Sequence, residues 1–422
     1  MARLWLLLAV CALTAAPRQG ATLDEHRARR EALRKALPES VIVLFGGTER
    51  ERGDLRGGFF QEPNFFYLTG WQEQGAILLL TPNDETLFLP GRSEVRERYT
   101  GRKAAPADDN IREATGFHNV MAVEKFETVL SKAAESASKV YALPALAGAD
   151  KLKSLLPLRE IADVSRPIAR LRMIKSPREI ELIEHTTRIT LEAHRAAWKR
   201  MAPGLFEYQI AATMSNVYFE HGCERHAYAP IVGSGPNAAI LHYARNGRHA
   251  DSGELMLMDV GAECSLYAAD ITRTVPVAGR FTPRQRELYE IVLGAQKAAI
   301  AAAKPGMMLL GQGEKSLNRI AREYMDAHGK ARNGDPLSKY FSHGLGHHVG
   351  LDVHDANDPD LPLAAGMVIT IEPGLYIPEE AIGIRVEDMV LITEGGSRVL
   401  SAALPREAND IEKAVAKRNG SK

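Results

Sequence analysis

The chain has 422 residues, of which 45% are hydrophobic and 25% are charged. These values are typical of a globular protein, and the length favours two domains. The 53 basic and 53 acidic side chains give a net charge of +0, which offers no electrostatic argument for a nucleic acid or an anionic membrane as partner.

The N-terminus carries the pattern of a secretory signal peptide, which we place at residues 1–21. A short positive start, Met1–Arg3, precedes the apolar run Leu4–Leu13 and the small residues Thr14–Ala16. The run is shorter than the roughly 20 apolar residues that span a bilayer, and no later run is long enough. The sequence therefore predicts an exported protein, periplasmic or secreted, with no membrane span. A buried N-terminal helix is the alternative.

Two cysteines, Cys223 and Cys264, remain after removal of the signal peptide. Two cysteines in an exported protein can pair, although they do not make a disulfide framework. We expect both to be unpaired, because Cys264 falls at the tip of a predicted hairpin.

The first predicted domain covers residues 22–168 and alternates helices with short strands. Gly and Pro residues separate these segments. Helices are predicted at His26–Leu37 and Glu124–Ser138. Strands are predicted at Val41–Phe45, Phe65–Thr69, Ala76–Thr81, Glu85–Leu89 and Lys139–Leu143. This alternation indicates an α/β domain.

A proline-containing basic segment at residues 157–175 marks the predicted domain boundary. Its basic residues are Arg159, Arg166, Arg170, Arg172 and Lys175. The second domain, residues 169–422, opens with the capping box Ser176–Glu179 and a long helix to about Met201. Further helices are predicted at 206–221, 283–304 and 312–328. Two hairpins follow helical blocks at comparable distances, which indicates two related halves of mixed α/β (α+β) structure.

The first of these hairpins, residues 254–276, contains Asp259 and Asp270 among apolar neighbours. If it folds about a turn at Cys264-Ser265, the two aspartates lie opposite each other, with Cβ atoms about 5 Å apart. Like charges at that distance repel unless a cation lies between them. A shared divalent metal would remove that repulsion, whereas solvent-exposed acids at a turn are the alternative.

The second hairpin, residues 369–393, repeats the arrangement with glutamates. Folding it about Glu379-Glu380 brings Glu372 opposite Glu387, both within apolar strands. Buried acids are rare unless they are paired or bind metal. Asp388 points to the other face of the strand, and we interpret it as structural.

A glycine-rich segment, SHGLGHHVGLDVHD at residues 342–355, carries four histidines and supplies the neutral ligand type. Carboxylates with one imidazole suit Mn²⁺, with Zn²⁺ and Co²⁺ as alternatives. The sequence contains neither H-E-x-x-H nor G-x-S-x-G. The pattern therefore predicts a hydrolytic centre with two metals.

With these motifs in view, residues 174–400 resemble the creatinase/aminopeptidase "pita-bread" family (metallopeptidase family M24), and within it the Xaa-Pro aminopeptidases. The matching motifs are PIVGSGPNAAILHY at 230–243, MDVGAE with ADITRT, HGLGHHVGLDVHD, IEPGLY and GIRVEDM. The N-terminal part is similar to the aminopeptidase P N-terminal domain, in FFQEPNFFYLTGW at 59–71.

The resemblance implies a pita-bread catalytic domain around a dinuclear centre, usually of Mn²⁺. It implies five metal ligands, which are Asp259, Asp270, His347, Glu372 and Glu387. It also implies catalytic roles for His242, His343, His354 and Arg385. Among the carboxylates, Glu372 is our hypothesis for the one that handles protons. His348 stands where we expect an aromatic residue. Family members are commonly dimers or tetramers, so the resemblance also implies a homo-oligomer.

The implied activity is hydrolysis of the Xaa-Pro bond at the N-terminus of a peptide with proline second. His354 and His242 are candidates to stabilise the tetrahedral intermediate or to serve the leaving prolyl nitrogen. A prolidase cutting Xaa-Pro dipeptides is the closest alternative, and metal-free chemistry and a non-catalytic binding module are more distant ones. Arg385 could instead pair with Glu387 or Asp388, and Tyr376 could serve packing alone.

Overall fold

The structure is a computed structural model that describes residues 20–54, 58–144 and 147–416. Except for its last two residues, the predicted signal peptide lies outside the described residues. None of the helices in these ranges is long and apolar enough to cross a membrane.

The N-terminal part is built on a mixed six-stranded sheet. Its elements are α1 (Leu23–Ala36), β1 (Ser40–Phe45), α2 (Glu49–Arg52), β2 (Gly53–Asp54), β3 (Gly58–Phe59), α3 (Pro63–Thr69), β4 (Ile77–Leu80), β5 (Glu85–Leu89), α4 (Glu94–Thr100), α5 (Ile111–Thr115), β6 (Asn119–Ala122), α6 (Phe126–Ser136), β7 (Lys139–Ala142), α7 (Ala147–Leu155) and β8 (Ile161–Asp163). The strand order is β6-β5-β4-β1-β7-β8, with antiparallel β1–β4 and β4–β5 pairs and parallel pairs elsewhere. The predicted α/β class is confirmed.

One strand predicted in this part was wrong, because residues 65–69 belong to helix α3. The side chain of Glu62 accepts a hydrogen bond from the backbone N–H of Phe65 at 2.6 Å and so caps the helix. Pro63 occupies the first helical position, where its missing N–H costs nothing. Four large side chains in a row look like a buried strand, but the cap and the proline decide for a helix.

The C-terminal part begins with a short helix that joins it to the N-terminal part. Its elements are α8 (Ser165–Met173), α9 (Pro177–Arg200), α10 (Glu207–Glu220), β9 (Arg225–His226), β10 (Ile231–Ser234), β11 (Leu255–Val260), β12 (Ala262–Cys264), β13 (Tyr267–Ala268), β14 (Ile271–Pro276), α11 (Pro283–Ala302), α12 (Leu317–His328), β15 (Val368–Ile371), β16 (Gly374–Ile377), β17 (Ile382–Arg385), β18 (Asp388–Thr393), β19 (Gly396–Val399) and α13 (Ala408–Ala416). The domain boundary predicted after residue 168 falls inside α8.

Two antiparallel three-stranded sheets, β10-β11-β14 and β15-β18-β19, form the centre of this part. A pair of helices precedes each sheet in the chain, α9 with α10 and α11 with α12, and each pair packs together. Both sheets are buried, apart from the more exposed β19. This repeat agrees with the two related halves expected from the sequence.

The aspartate hairpin has a different register from the predicted one. Asp259 pairs with Thr272, so it lies two positions away from Asp270 along the ladder. The turn is centred on Ser265 and Leu266, whose φ angles of 53° and 68° are both positive. Our turn at Cys264-Ser265 was therefore one residue too early, and the aspartates are diagonal rather than directly opposed neighbours.

The glutamate hairpin has the predicted register. β15 pairs with β18 through Ile371 and Asp388, and β16 pairs with β17 through Gly374 and Arg385. Both ladders share one register, which places Glu372 opposite Glu387 in the gap between them. The Asp388 side chain is fully buried on a salt bridge of 2.7 Å to Arg273, in keeping with a structural role.

Cys223 and Cys264 form a disulfide, with their Cα atoms 4.3 Å apart, so the prediction of unpaired thiols was wrong. Strand β9 pairs with β12, which brings the loop after α10 against the end of β12. Cys264 ends β12, one residue before the turn, and both cysteines are buried.

Candidate metal centre

A cavity of about 540 Å³ lies between the two sheets of the C-terminal part. It is lined by all nine residues that the sequence singled out, which are His242, Asp259, Asp270, His343, His347, His354, Glu372, Arg385 and Glu387. Apolar side chains complete its wall, including Ile231, Leu241, Leu310 and Val353. One concave site therefore collects acidic, imidazole and guanidinium groups from segments 145 positions apart in the chain.

Three of these residues form the tightest cluster of potential ligand atoms. One ligand atom from each of Asp270, His347 and Glu387 lies within 4.8 Å of the other two. Asp270 comes from the aspartate hairpin, His347 from the glycine-rich loop and Glu387 from the glutamate hairpin. Each half of the domain thus contributes to the cluster.

The His347 ring is oriented by a hydrogen bond to the backbone of the next residue. Its Nδ1 donates to the carbonyl oxygen of His348 at 3.0 Å, so Nε2 faces Asp270 at 3.3 Å and Glu372 at 3.4 Å. Burial alone would lower the pKa of His347, but the hydrogen bond and charge of Asp270 and the charge of Glu372 raise it to about 9. In the metal-free site this imidazole is therefore a cation, which partly neutralises the acids.

Glu372 and Glu387 are acids held where ionisation is unfavourable. Burial raises the pKa of Glu372 to about 7, against the charges of His347 and Arg385. Burial and the charges of Asp270 and Glu372 hold the pKa of Glu387 well above its usual range. Within the described residues, Oε1 of Glu387 is buried and has no hydrogen-bond partner. A bound cation would satisfy this unpaired buried oxygen.

Asp259 is held by two side chains that line the cavity. One of its oxygens accepts from the phenol of Tyr228 at 2.5 Å, and the other pairs with Nη2 of Arg385. Tyr228 also reaches Asp270, so a single phenol lies between the two aspartates. Arg385 is thus bound to Asp259, and the alternative pairing with Glu387 or Asp388 is not observed.

His343 and Tyr376 form a second polar group at the cavity. Nδ1 of His343 donates to the carbonyl of Gly344, and its Nε2 accepts from the Tyr376 hydroxyl at 2.8 Å. That hydroxyl accepts in turn from Nη1 of Arg385 at 2.6 Å. Burial and the Arg385 charge lower the pKa of His343 to about 4, so it is neutral. Tyr376 therefore belongs to the site and does more than pack.

The other histidines lie further out. The ring centroid of His354 is 4.1 Å from that of His347, and its exposed ring stands with His242 at the mouth of the cavity. Burial and the charges of His347 and His242 lower the pKa of His354. His348 is buried and does not line the cavity, so its departure from an aromatic residue leaves the rim unchanged.

Sequence reasoning missed three residues whose hydroxyls contact the acids, and one of them is Thr370, which donates to Oε1 of Glu372 at 3.0 Å. Tyr228 bridges the aspartates, and Thr272 donates from its hydroxyl to Oε2 of Glu387 at 2.6 Å. Thr272 could have been found, since it lies two positions after Asp270 on the same strand face. Tyr228 precedes the matched motif at 230–243 and gives no local signal.

The residues present fit divalent metal ions. Four acids, one imidazole, an unpartnered carboxylate oxygen and raised carboxyl pKa values are what a metal site looks like before its charge is balanced. The donor set is rich in oxygen, as hard and borderline cations require.

The profiles of two known protein families match this chain. The profile of metallopeptidase family M24 matches residues 181–394, and the profile of the aminopeptidase P N-terminal domain matches residues 26–141. The Xaa-Pro aminopeptidase of Haemophilus influenzae is 37% identical over 419 residues, covering 92% of this chain and 96% of that protein.

Solved structures agree with the sequence matches. The structure of aminopeptidase P from Escherichia coli with the inhibitor Pro-Leu superposes with a TM-score of 0.83 at 30% identity, covering 96% of this chain and 100% of that one. The Xaa-Pro dipeptidase of Pyrococcus horikoshii is 33% identical over 346 residues, which cover 81% of this chain and 91% of that protein.

Proposed function

The chain belongs to metallopeptidase family M24, and we propose that the cavity between its two sheets is the active site of a metal-dependent Xaa-Pro aminopeptidase. The protein is a hydrolase with the pita-bread fold, and it releases the N-terminal residue from peptides that have proline in second position. The observation that carries this function is the convergence of the nine residues on one cavity.

We propose that Asp259, Asp270, His347, Glu372 and Glu387 hold two divalent metal ions. When bound, such ions polarise the scissile carbonyl and lower the pKa of a water molecule. The four carboxylates and one imidazole support Mn²⁺ as the metal, with Zn²⁺ and Co²⁺ as alternatives. Metal analysis of the protein as isolated, followed by activity with each ion added to the metal-free protein, tests this choice.

Glu372 is the proposed proton carrier. Its Oε1 accepts from the Thr370 hydroxyl at 3.0 Å, and its Oε2 lies 3.8 Å from Nδ1 of His343. A carboxylate in this position can accept a proton from the attacking water and return it to the leaving prolyl nitrogen. The leaving nitrogen needs that proton because a neutral amine leaves far more readily than its anion. In the bond before proline this nitrogen is part of a tertiary amide and leaves as the secondary amine of proline.

The remaining polar groups position the substrate. His343 is neutral and is held between Gly344 and Tyr376, so its imidazole presents a fixed face to the cavity. His354 and His242 at the mouth are the proposed donors to the developing oxyanion. Arg385 donates to both Asp259 and Tyr376 and so fixes the positions of these two side chains relative to each other.

Dipeptidase activity is the second candidate, because the Pyrococcus horikoshii Xaa-Pro dipeptidase is also similar. A panel of Xaa-Pro dipeptides and Xaa-Pro-Xaa tripeptides separates the two. An aminopeptidase cleaves the tripeptides at least as well as the dipeptides. Cleavage restricted to dipeptides would assign the protein as a prolidase, and cleavage of neither would remove the proposed function.

We also propose that the protein is exported, to the periplasm or beyond. The signal-peptide pattern at residues 1–21 and the buried Cys223–Cys264 disulfide support this, because structural disulfides persist in oxidising compartments. Fractionation of cells that produce the full chain, with N-terminal sequencing of the mature protein, tests it. Homo-oligomerisation to a dimer or tetramer remains a proposal from the family resemblance, for light scattering to decide.

A further inference from the structure

The basic segment that marks the domain boundary pairs with an acidic segment that follows the histidine loop. We name the first the basic linker, consisting of Arg166, Arg170, Arg172 and Lys175. We name the second the acidic segment, consisting of Asp352, Asp355, Asp358 and Asp360. Each basic side chain forms a salt bridge with an aspartate of the acidic segment. The pairs join parts of the chain roughly 180 positions apart.

The outer pairs are partly exposed to solvent. Arg166 and Arg170 contact Asp358 at 2.6 Å and 2.8 Å, and their side chains are 52% and 56% exposed. Ion pairs with a partner this exposed contribute little to stability. They hold the surface of the linker to the acidic segment without setting its geometry.

The inner pairs are different, because they are removed from solvent. Asp355 accepts from Nη2 of Arg172 at 2.6 Å and from Nζ of Lys175 at 3.0 Å, and all three side chains are at most 2% exposed. Despite burial, the charges of Arg172 and Lys175 lower the pKa of Asp355 to about 2. A buried charge without its partners is strongly unfavourable, so these three groups hold one another in one arrangement.

Asp355 fixes the loop that carries the proposed catalytic histidines. Its backbone N–H donates to the carbonyl of His348 at 2.9 Å, which closes the loop beside His347, and it directly follows His354. Gly350 lies against its carboxylate, where a Cβ would approach Oδ2 to 2.4 Å. The carbonyl of Gly350 accepts from the N–H of Ala268, two residues before Asp270. The loop that Asp355 closes therefore carries His347 and contacts the aspartate hairpin, so it involves two of the three segments that form the metal cluster.

The buried salt bridges of Arg172, Lys175 and Asp355 are also linked to the N-terminal domain. Nη1 of Arg172 donates to the side chain of Asn64 at 2.7 Å, and Asn64 belongs to α3. The Asn64 amide in turn donates to Glu62, the residue that caps α3. An unbroken set of hydrogen bonds thus runs from α3 through Arg172 to Asp355.

We propose that Arg172 and Lys175 are positioning residues that hold the histidine loop in its catalytic geometry through Asp355. They touch neither the cavity nor the proposed ligands. Their effect on the reaction passes through the placement of His347 and His354. The N-terminal domain then influences the geometry of the metal centre, because its helix α3 contacts Arg172. This inference rests on the proposed function only where peptide cleavage is the readout.

The test compares Lys175→Met and Arg172→Lys with two controls. Arg166→Gln removes an outer, exposed salt bridge to the same acidic segment. Leu130, in α6, belongs to a buried hydrophobic core with Val41 and Phe88 that contains no residue of the basic linker or the acidic segment. Leu130→Ala opens a cavity in this core and so lowers the melting temperature without touching the salt bridges. Arg172→Lys keeps the charge and loses the planar fork, so it distinguishes geometry from charge alone.

We expect Lys175→Met to weaken Mn²⁺ binding and to lower kcat by about 10-fold to 100-fold each, as losses of outer-shell partners do, with KM changed less than about twofold. The Mn²⁺ affinity and the kcat of Arg172→Lys should lie between those of Lys175→Met and the wild type. Hydrogen exchange at the amides of residues 347–355 should become faster in Lys175→Met. Arg166→Gln and Leu130→Ala should keep the Mn²⁺ affinity and the kcat of the wild type at temperatures below melting.

A cluster that only stabilised the fold would give a different result. Lys175→Met and Arg172→Lys would then melt earlier, as Leu130→Ala does, with unchanged Mn²⁺ affinity, kcat and loop exchange, and the proposal would be overturned. If Lys175→Met does not fold, Arg172→Lys alone decides by the same measures. Mn²⁺ affinity and exchange are read without a peptide, so a wild type that cleaves no Xaa-Pro peptide would remove the proposed function and leave this test intact.

Discussion

Nε2 of His347 lies 3.3 Å from Oδ2 of Asp270, although the two residues belong to different halves of the domain. Without metal this contact is an ion pair, because the pKa of His347 is raised to about 9. In the proposed metal-bound site both residues would be ligands. The first two predictions follow from this exchange of a proton for a metal ion.

Asp270→Asn should abolish metal binding at this position and lower kcat/KM for an Xaa-Pro tripeptide by more than about 100-fold. The substitution keeps the shape of the side chain and removes its charge. Metal content by mass spectrometry and tripeptide cleavage measure the effect. Asp251→Asn, at a half-exposed aspartate, is the matched control and should behave as the wild type. Undiminished activity of Asp270→Asn would refute the ligand assignment.

The metal-free protein should become less stable as the pH rises from about 5 to 9. The stabilisation from His347 is complete below its ordinary pKa of 6.5 and is lost as the pH rises through its raised value of about 9. Glu372, whose pKa is raised from 4.5 to about 7, adds a loss between those values because burial opposes its ionisation. Melting curves with a chelator measure this.

Metal should reverse that trend, since binding displaces the protons. Mn²⁺ affinity should rise over the same pH range, with proton release detected by calorimetry in two buffers of different ionisation enthalpy. An Mn²⁺ affinity independent of pH between 6 and 9 would contradict the cationic state of His347.

Tyr376→Phe should lower kcat by about 10-fold, the equivalent of one hydrogen bond, and leave KM nearly unchanged. The hydroxyl joins His343 to Arg385, and its removal frees both side chains while the ring still packs. Tyr289→Phe is the control, because that hydroxyl donates to the carbonyl of Arg406, away from the cavity. Equal kcat values for the two variants would show that Tyr376 serves packing alone.

Reduction of the Cys223–Cys264 disulfide should lower the free energy of unfolding by about 4 kcal/mol, the chain-entropy value for a closed loop of this length. Melting in the presence and absence of a thiol reductant measures the change. The double variant Cys223→Ala with Cys264→Ala should melt at one temperature in both conditions. A wild type that is equally insensitive to the reductant would mean that the thiols do not pair.

The glutamate pair could be predicted because one register runs through both of its ladders, so folding the sequence about its turn was enough. The aspartate pair could not be placed as well. Its turn uses Ser265 and Leu266 with positive φ, and neither residue carries the Gly or Asn signal of such turns. Alternation of apolar residues fixes the face of a strand but not the centre of its turn.

Contacts between residues that are far apart in the sequence could not be predicted from local sequence patterns. The disulfide depends on the pairing of β9 with β12, two short strands with no sequence signal of their own. Tyr228 and Tyr376 are single aromatic residues, and only the folded chain shows that their hydroxyls reach the acids and His343. Among four clustered histidines, the structure brings Nε2 of His347 to the acids, because its Nδ1 donates to the next carbonyl.

The division of the proposed ligands between two sheets also governs what a broken chain can do. Asp259 and Asp270 precede α11, whereas His347, Glu372 and Glu387 follow α12. A premature stop anywhere between residues 271 and 346 leaves a product without His347, Glu372 and Glu387. We therefore expect such a partly synthesised molecule to be inert rather than unselective.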